Sequence, residues 1–148
     1  MAFRVFSSAF AEGAMIPALH TCQGADVSPT LEWAGEPAGT RSFTLIVDDP
    51  DAPAGVWVHW LLYDIPAKVH TLSQGVQSTA LTGTNSFGKA KYGGPCPPHG
   101  NPHRYYFRLY ALDRASLGLP AGANRAELEH AMAAHILAEA QYMGRFKR

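Results

Sequence analysis

Two apolar stretches joined by a short loop of aspartates and prolines constrain this chain more than any other feature. Residues 42–47 are apolar and partly β-branched, and they stop at an Asp/Pro cluster. This pattern predicts a buried strand that ends in a loop. The loop, residues 48–53, contains two prolines, so its backbone is stiff.

Residues 57–63 predict the next strand. Because side chains alternate along a strand, one face carries Trp57, His59, Leu61 and Tyr63, and the other carries Val58, Trp60 and Leu62. The loop aspartates precede this strand directly. We therefore expect Asp49, Asp51 and His59 to converge.

The composition fits a single domain over residues 1–148. The hydrophobic content of 47% suffices for one core. Twelve basic residues balance twelve acidic ones, so no overall field attracts nucleic acid or an anionic membrane surface. The sequence shows neither an export signal nor a membrane-spanning stretch. We expect a cytoplasmic protein without stable membrane insertion.

The two cysteines, Cys22 and Cys96, are too few for a disulfide framework and lack the spacing of metal ligands. In a reducing compartment we expect both to be free thiols.

A second loop and strand repeat the first arrangement. Residues 84–100 are rich in glycine and proline, which suits a rigid loop with backbone amides close to a ligand, or an ordinary surface connection. The loop leads into a strand over residues 101–112. Its alternation places His103, Tyr105, Phe107 and Leu109 on one face, and Arg104, Tyr106, Arg108 and Tyr110 on the other. The two strand ends are expected to form one pocket.

The end of the chain predicts a helix. Asn124 and Glu127 have the spacing of a capping box. A stripe at helical spacing follows, and it consists of Leu128, Met132, Ile136, Ala140 and Met143. Gly144 is the expected terminator. We expect this helix to cover the sheet.

Three interpretations of the His and Asp residues remain open. They are ordinary buried polar groups, ligands of a metal site, or parts of an anion site. In an anion site an aspartate accepts a hydrogen bond from one imidazole N–H, which orients the other N–H toward an oxyanion and favours the charged ring. The Tyr105 hydroxyl and loop amides would add donors. An aspartate could also meet an ammonium group.

Catalysis has little support in the sequence. It contains no Gly-x-Ser-x-Gly elbow, and no glycine-rich phosphate loop precedes a helix. We expect a binding protein that is not an enzyme, with a hydrolase that uses His/Asp or a thiol as the remote alternative.

Several motifs resemble those of the phosphatidylethanolamine-binding protein family. They are Asp49-Pro50-Asp51-Ala52-Pro53, Trp57-Val58-His59, Gly94-Pro95-Cys96-Pro97-Pro98 and Pro102-His103-Arg104-Tyr105. Their order and separation also match, and the likeness covers nearly the whole chain. The short length and the cysteine are most similar to the bacterial and archaeal branch, often labelled Raf-kinase-inhibitor-like.

The resemblance implies a mostly β fold, a β-sandwich with a large central antiparallel sheet, a smaller sheet and a C-terminal helix. It implies a pocket for phosphate-like anions and phospholipid headgroups such as phosphoethanolamine, without cofactor or metal. The lining would be Asp49, Asp51, Trp57, His59, Pro98, His103 and Tyr105. A kinase- or protease-inhibitor-like scaffold with an unknown protein target is the alternative. Small bacterial relatives often look dimeric, so a homodimer is one arrangement that the resemblance allows, and the sequence leaves the oligomeric state open.

Two details accompany the resemblance. The tight turn and the family's habit predict a cis peptide bond between Ala52 and Pro53. Val58 stands where many eukaryotic relatives have a second histidine, and the strand's alternation points it away from the pocket.

Overall fold

Two antiparallel sheets and one short helix make up the computed structural model, which describes residues 2–77 and 80–148. The strands are β1 (Arg4–Phe6), β2 (Leu31–Ala34), β3 (Ser42–Asp49), β4 (Trp57–Pro66), β5 (Thr71–Leu72), β6 (Leu81–Thr82), β7 (His103–Leu112) and β8 (Ile136–Phe146), and helix α1 spans Arg125–Met132. The smaller sheet has the order β1-β2-β5 and the larger sheet β6-β4-β3-β7-β8. The predicted fold class is confirmed.

Strand β3 lies at the centre of the larger sheet, and all eight of its residues are buried. One face of this sheet packs on the smaller sheet, where Trp33 meets Phe43 edge-on with ring centroids 5.5 Å apart. The other face is covered by α1, whose Leu128 joins the cluster around Ile46. Asp48, also buried, accepts hydrogen bonds from arginines of both β7 and α1, which tie those elements to β3.

Strand β7 follows the predicted alternation. Tyr105, Phe107 and Leu109 are buried in the core between the sheets, whereas Arg104 lies exposed on the opposite face. The alternation therefore places Tyr105 near the start of β7, on the face that packs between the two sheets.

Strand β4 departs from simple alternation at His59. Val47 of β3 pairs with Trp60, and its neighbour Asp48 pairs with Val58, so His59 is an extra residue on β4. Such a bulge places two consecutive side chains on one side of a strand. The His59 ring accordingly lies on the same side of β4 as Trp60. Its centroid is 5.2 Å from the centroid of the Tyr105 ring. The predicted grouping of His59 with Leu61 and Tyr63 is wrong, because those two side chains belong to the cluster on the other face.

The helix begins as predicted but is much shorter. Asn124 and Glu127 form the reciprocal capping box, and α1 then ends at Met132. Residues 136–146 form β8, which pairs with β7 along its whole length, so the long predicted helix is wrong. Pairing with a neighbouring strand overrides the helical preference of the Ala-, Leu- and Glu-rich sequence. Gly144 does not terminate a helix; a side chain there would collide with Phe10 and Ile16.

Strand β8 is the edge of the larger sheet, and residues 13–16 cover one end of it. The Gly13 amide donates to the Met143 carbonyl at 2.7 Å, and the Ile16 amide donates to the Arg145 carbonyl at 2.7 Å. The Arg145 amide returns a bond to Ala14. Within the part of the chain that the structure describes, no strand pairs with the outer edge of residues 136–142.

Two covalent predictions are wrong. Cys22 and Cys96 form a disulfide, with their Cα atoms 5.4 Å apart, and are not free thiols. Two chain segments pack side by side here, since the Cys22 amide also donates to the Pro95 carbonyl at 3.1 Å. The structure contains no cis peptide bond within its described residues, so Ala52-Pro53 is trans.

None of the helices within residues 2–77 and 80–148 is long and apolar enough to cross a membrane. The cytoplasmic location stays a prediction.

Candidate functional site

A cavity of about 320 Å³ lies where the Asp/Pro loop and the Gly/Pro loop meet, at the ends of β3, β4 and β7. Six of the seven predicted residues line it, namely Asp49, Trp57, His59, Pro98, His103 and Tyr105. Loop residues 52–54 and 96–97 extend the wall. The prediction that two strand ends form one pocket is confirmed in its geometry.

Asp49 and His103 form the best-defined pair of the cavity. The His103 Nδ1 lies 2.7 Å from Asp49 Oδ2, and the carboxylate is nearly inaccessible to solvent. Asp49 Oδ1 accepts the backbone amide of Asp51 at 2.8 Å. Because the carboxylate accepts from Nδ1, the ring is held in one orientation, and Nε2 is the nitrogen left for a ligand.

Asp51 does not line the cavity. Its carboxylate accepts both Nε and Nη2 of Arg104, at 2.9 Å and 2.8 Å, and it also accepts the Arg104 amide. The Arg104 guanidinium lowers the pKa of Asp51 to about 2. Asp51 thus holds the loop against β7, and its predicted place in the pocket lining is wrong.

His59 is bound by a backbone carbonyl rather than by an aspartate. Its Nδ1 lies 2.6 Å from the Gly93 oxygen, and its side chain is almost fully buried. Burial lowers the pKa of His59 below its ordinary value, although the Gly93 carbonyl and the Asp49 carboxylate oppose this shift. The free protein therefore holds this ring neutral at neutral pH, and His59 is not the aspartate-bound imidazole that the anion-site interpretation requires.

Tyr105 contributes a hydroxyl that finds no hydrogen-bond partner among the described residues, although the residue is only 1% exposed. Burial raises the pKa of Tyr105, and so does the nearby Asp49 carboxylate, so the hydroxyl keeps its proton. Asp49 acts on the hydroxyl without forming a well-aligned hydrogen bond with it. A buried donor without a partner is destabilising unless something binds it. This hydroxyl is the clearest indication of a ligand.

The Gly/Pro loop is held from inside by Asn85, which is buried. Its side-chain oxygen accepts the amides of Phe87 and Lys89, and its nitrogen donates to the Lys91 carbonyl at 2.7 Å. This turn presents Phe87 to the cavity, edge-on to both Trp57 and His59. Sequence reasoning missed Phe87, and no signal in the residue pattern singled it out.

The Gly/Pro loop leaves fewer free amide donors for a ligand than the sequence suggested. The Gly93 amide already donates to the His59 carbonyl at 3.0 Å, and the Gly94 amide donates to Asp26 at 2.9 Å. Three of the next four residues are prolines, which have no amide proton. Few amides of this loop are therefore left for a ligand, and the side chains of the cavity supply most of its described polar groups.

The metal-site interpretation finds no support in the geometry of residues 2–77 and 80–148. In these ranges no group of three or more His, Cys, Asp or Glu side chains is placed to hold a metal ion. The lining of the cavity combines hydrogen-bonding side chains with apolar ones.

Known proteins match this chain over nearly its whole length. A relative from Aquifex aeolicus, designated UPF0098 protein, is 47% identical over 150 residues, which is 97% of this chain and 88% of the relative. A protein of the same designation from Methanothermobacter thermautotrophicus is 42% identical over 146 residues, 95% of each chain.

Two solved structures share the architecture. A phosphatidylethanolamine-binding protein homolog from Chlamydia trachomatis superimposes with a TM-score of 0.95 at 39% identity and covers 99% of this chain and 98% of its own. E. coli YbcL, described as a member of the mammalian family, gives a TM-score of 0.93 at 33% identity, with 100% and 99% covered. The family model described as phosphatidylethanolamine-binding protein matches residues 6–147. With nearly its whole length matched, this chain belongs to the phosphatidylethanolamine-binding protein family.

Proposed function

We propose that this protein is a binding module for small phosphate-type anions and for headgroups such as phosphoethanolamine, and that it catalyses no reaction on them. The observation that carries the proposal is the Tyr105 hydroxyl, which is buried and unpartnered and lies beside His59 and His103 in one cavity. An oxyanion placed there would accept a hydrogen bond from the hydroxyl and contact both imidazoles.

The size and the walls of the cavity favour a small ligand. A volume of about 320 Å³ lies at the lower end of the range of ligand pockets, so a headgroup fits better than a whole lipid. Trp57, Phe87 and Pro98 provide apolar walls, and a less polar environment strengthens the polar contacts inside.

The residue types of the cavity support binding rather than turnover. Among the described residues that line it there is no serine or threonine, and the sulfur of Cys96 is bonded to Cys22. This disfavours the thiol hydrolase. The aspartates already accept hydrogen bonds from protein groups, so neither is poised as a nucleophile.

Calorimetry with phosphate and with phosphoethanolamine tests the proposal on the wild type, His103→Ala and His130→Ala. Each charge-assisted bond contributes roughly 1.5–3 kcal/mol, so His103→Ala should weaken binding about ten-fold or more. His130 is exposed on α1, away from the cavity lining, so its substitution should leave the affinity unchanged.

Equal affinities in the three proteins would contradict an anion pocket and would favour the interaction-scaffold alternative. Binding that disappears with a chelator would instead indicate a metal site.

A further inference from the structure

The Gly93 carbonyl determines which nitrogen of His59 carries a proton. A carbonyl oxygen can only accept, so Nδ1, 2.6 Å away, must be the protonated nitrogen. In the neutral ring the other nitrogen, Nε2, then carries a lone pair. The hydrogen bond described for this ring joins Nδ1 to Gly93, and His59 lines the cavity. The pocket therefore presents a hydrogen-bond acceptor to its ligand at this point.

An acceptor at this position conflicts with a fully deprotonated oxyanion. All the oxygens of such an anion are acceptors, and they would meet the Nε2 lone pair without a proton between them. The Tyr105 hydroxyl satisfies one ligand oxygen but cannot serve His59 as well. The contact between Nε2 and a ligand oxygen therefore needs one proton. Either the His59 ring gains this proton or the ligand carries it.

The charged groups around His59 do not supply this proton by themselves. On the β3 side lies Asp49 and on the β7 side His103, whose Nδ1 is held by Asp49. From the neighbouring segment the Asp26 carboxylate also favours a charged His59 ring. Burial outweighs these groups and lowers the pKa of His59, so the free protein lacks the proton at neutral pH.

Three cations lie further out. Lys89 and Lys91 line a neighbouring cavity, on the same loop as Gly93. Arg148 donates from Nε to the Pro97 carbonyl at 2.6 Å and acts electrostatically on Tyr105. These cations attract an anion toward the loop, but none of them lines the cavity that contains His59 and Tyr105.

We propose that the pocket takes up an oxyanion together with one proton, which is shared between a ligand oxygen and Nε2 of His59. The inference rests on the proposed anion-binding function and names its ligand class: oxyacids in a protonated form, or fully deprotonated oxyanions that bind with a proton drawn from solvent. The balance is one anion and one proton for each site, with no bond made or broken in the ligand.

Sulfate is the sharpest probe, because its own charge stays constant between about pH 6 and pH 8, so any proton taken up belongs to the protein. Calorimetry at about pH 8, in two buffers with different ionisation enthalpies, should show one proton taken up for each sulfate bound. The affinity should rise about ten-fold for each pH unit by which the pH falls, and it should level off below the pKa of His59.

Two variants identify the imidazole that takes up the proton. His59→Gln offers a permanent amide donor, so sulfate binding should lose both the proton uptake and the pH dependence. His103→Gln tests the competing imidazole: uptake that vanishes there but persists in His59→Gln would overturn the assignment. His130→Gln, on α1, is the matched control and should behave as the wild type.

A spectroscopic measurement on the wild type keeps the test independent of the folding of any variant. On addition of sulfate, the ¹⁵N shift of His59 Nε2 should move from that of a bare nitrogen to that of a protonated one. Anion binding without proton uptake and without this shift contradicts only the present inference. The absence of any anion binding contradicts the proposed function itself.

Discussion

At the scale of the residue, Tyr105 connects stability with binding. Its hydroxyl is buried without a described partner, so the folded protein bears an unsatisfied polar group that a ligand would relieve. Tyr105→Phe should therefore raise the free energy of unfolding by about 1 kcal/mol, because it removes that group. The same change should weaken phosphate binding about ten-fold.

Urea unfolding and calorimetry on one preparation measure the two opposite effects. His103→Ala provides the comparison, since it removes a residue whose partner Asp49 is buried and should weaken binding with a loss of stability. A Tyr105→Phe protein that is clearly less stable than the wild type would show that the hydroxyl has a partner in the folded state.

The residues of the cavity could be predicted to different degrees. Alternation along β7 placed Tyr105 correctly, because that strand is regular. His59 reached the cavity through a bulge, which depends on the pairing of β4 with β3 and is not visible in one strand's sequence. Asp51 was misplaced because the bidentate contact with Arg104 joins groups 53 residues apart.

At the scale of the element, the short α1 and the strand after it predict a contrast between two substitutions. Leu128 of α1 is 0% exposed, so Leu128→Ala should lower the free energy of unfolding by about 2–5 kcal/mol. Ile136 is 40% exposed at the start of β8, so Ile136→Ala should change it by less than about 1 kcal/mol.

Denaturant unfolding of both variants measures this difference. If Ile136→Ala is as destabilising as Leu128→Ala, then residue 136 is buried, as the long-helix prediction required, and β8 is assigned incorrectly.

The same region shows what sequence reasoning can reach for whole elements. The capping residues at Asn124 and Glu127 determined the start of α1, because capping is a local interaction. Its end was missed, since nothing local stops a helix at Met132. Pairing with β7 decides the structure of residues 136–146, and that partner is distant in the chain.

At the scale of the whole molecule, the Cys22–Cys96 disulfide joins segments 74 residues apart and adjoins the cavity through Cys96. In the chain-entropy account, closing a loop of that length stabilises the folded state by about 4 kcal/mol. Reduction should therefore lower the free energy of unfolding by about that amount, as measured by urea unfolding with and without a thiol reductant. Cys22 is exposed, so the reductant has access.

The double variant Cys22→Ser/Cys96→Ser is the control and should resemble the reduced wild type in both conditions. Thiol titration of the denatured, unreduced wild type should find no free groups. Two free thiols would restore the sequence-based prediction.

The covering of β8 by residues 13–16 has a consequence for how the molecule meets copies of itself. An open strand edge is a template on which another chain can add a strand, and fibrillar aggregation can start there. Residues 13–16 occupy this edge at Met143 and Arg145, which restricts the open template to residues 136–142. Glu139 places a charge in the middle of that stretch, which discourages addition. Detachment of residues 13–16 would extend the open edge along the full length of β8, and strand addition by a second copy would then be expected to become easier.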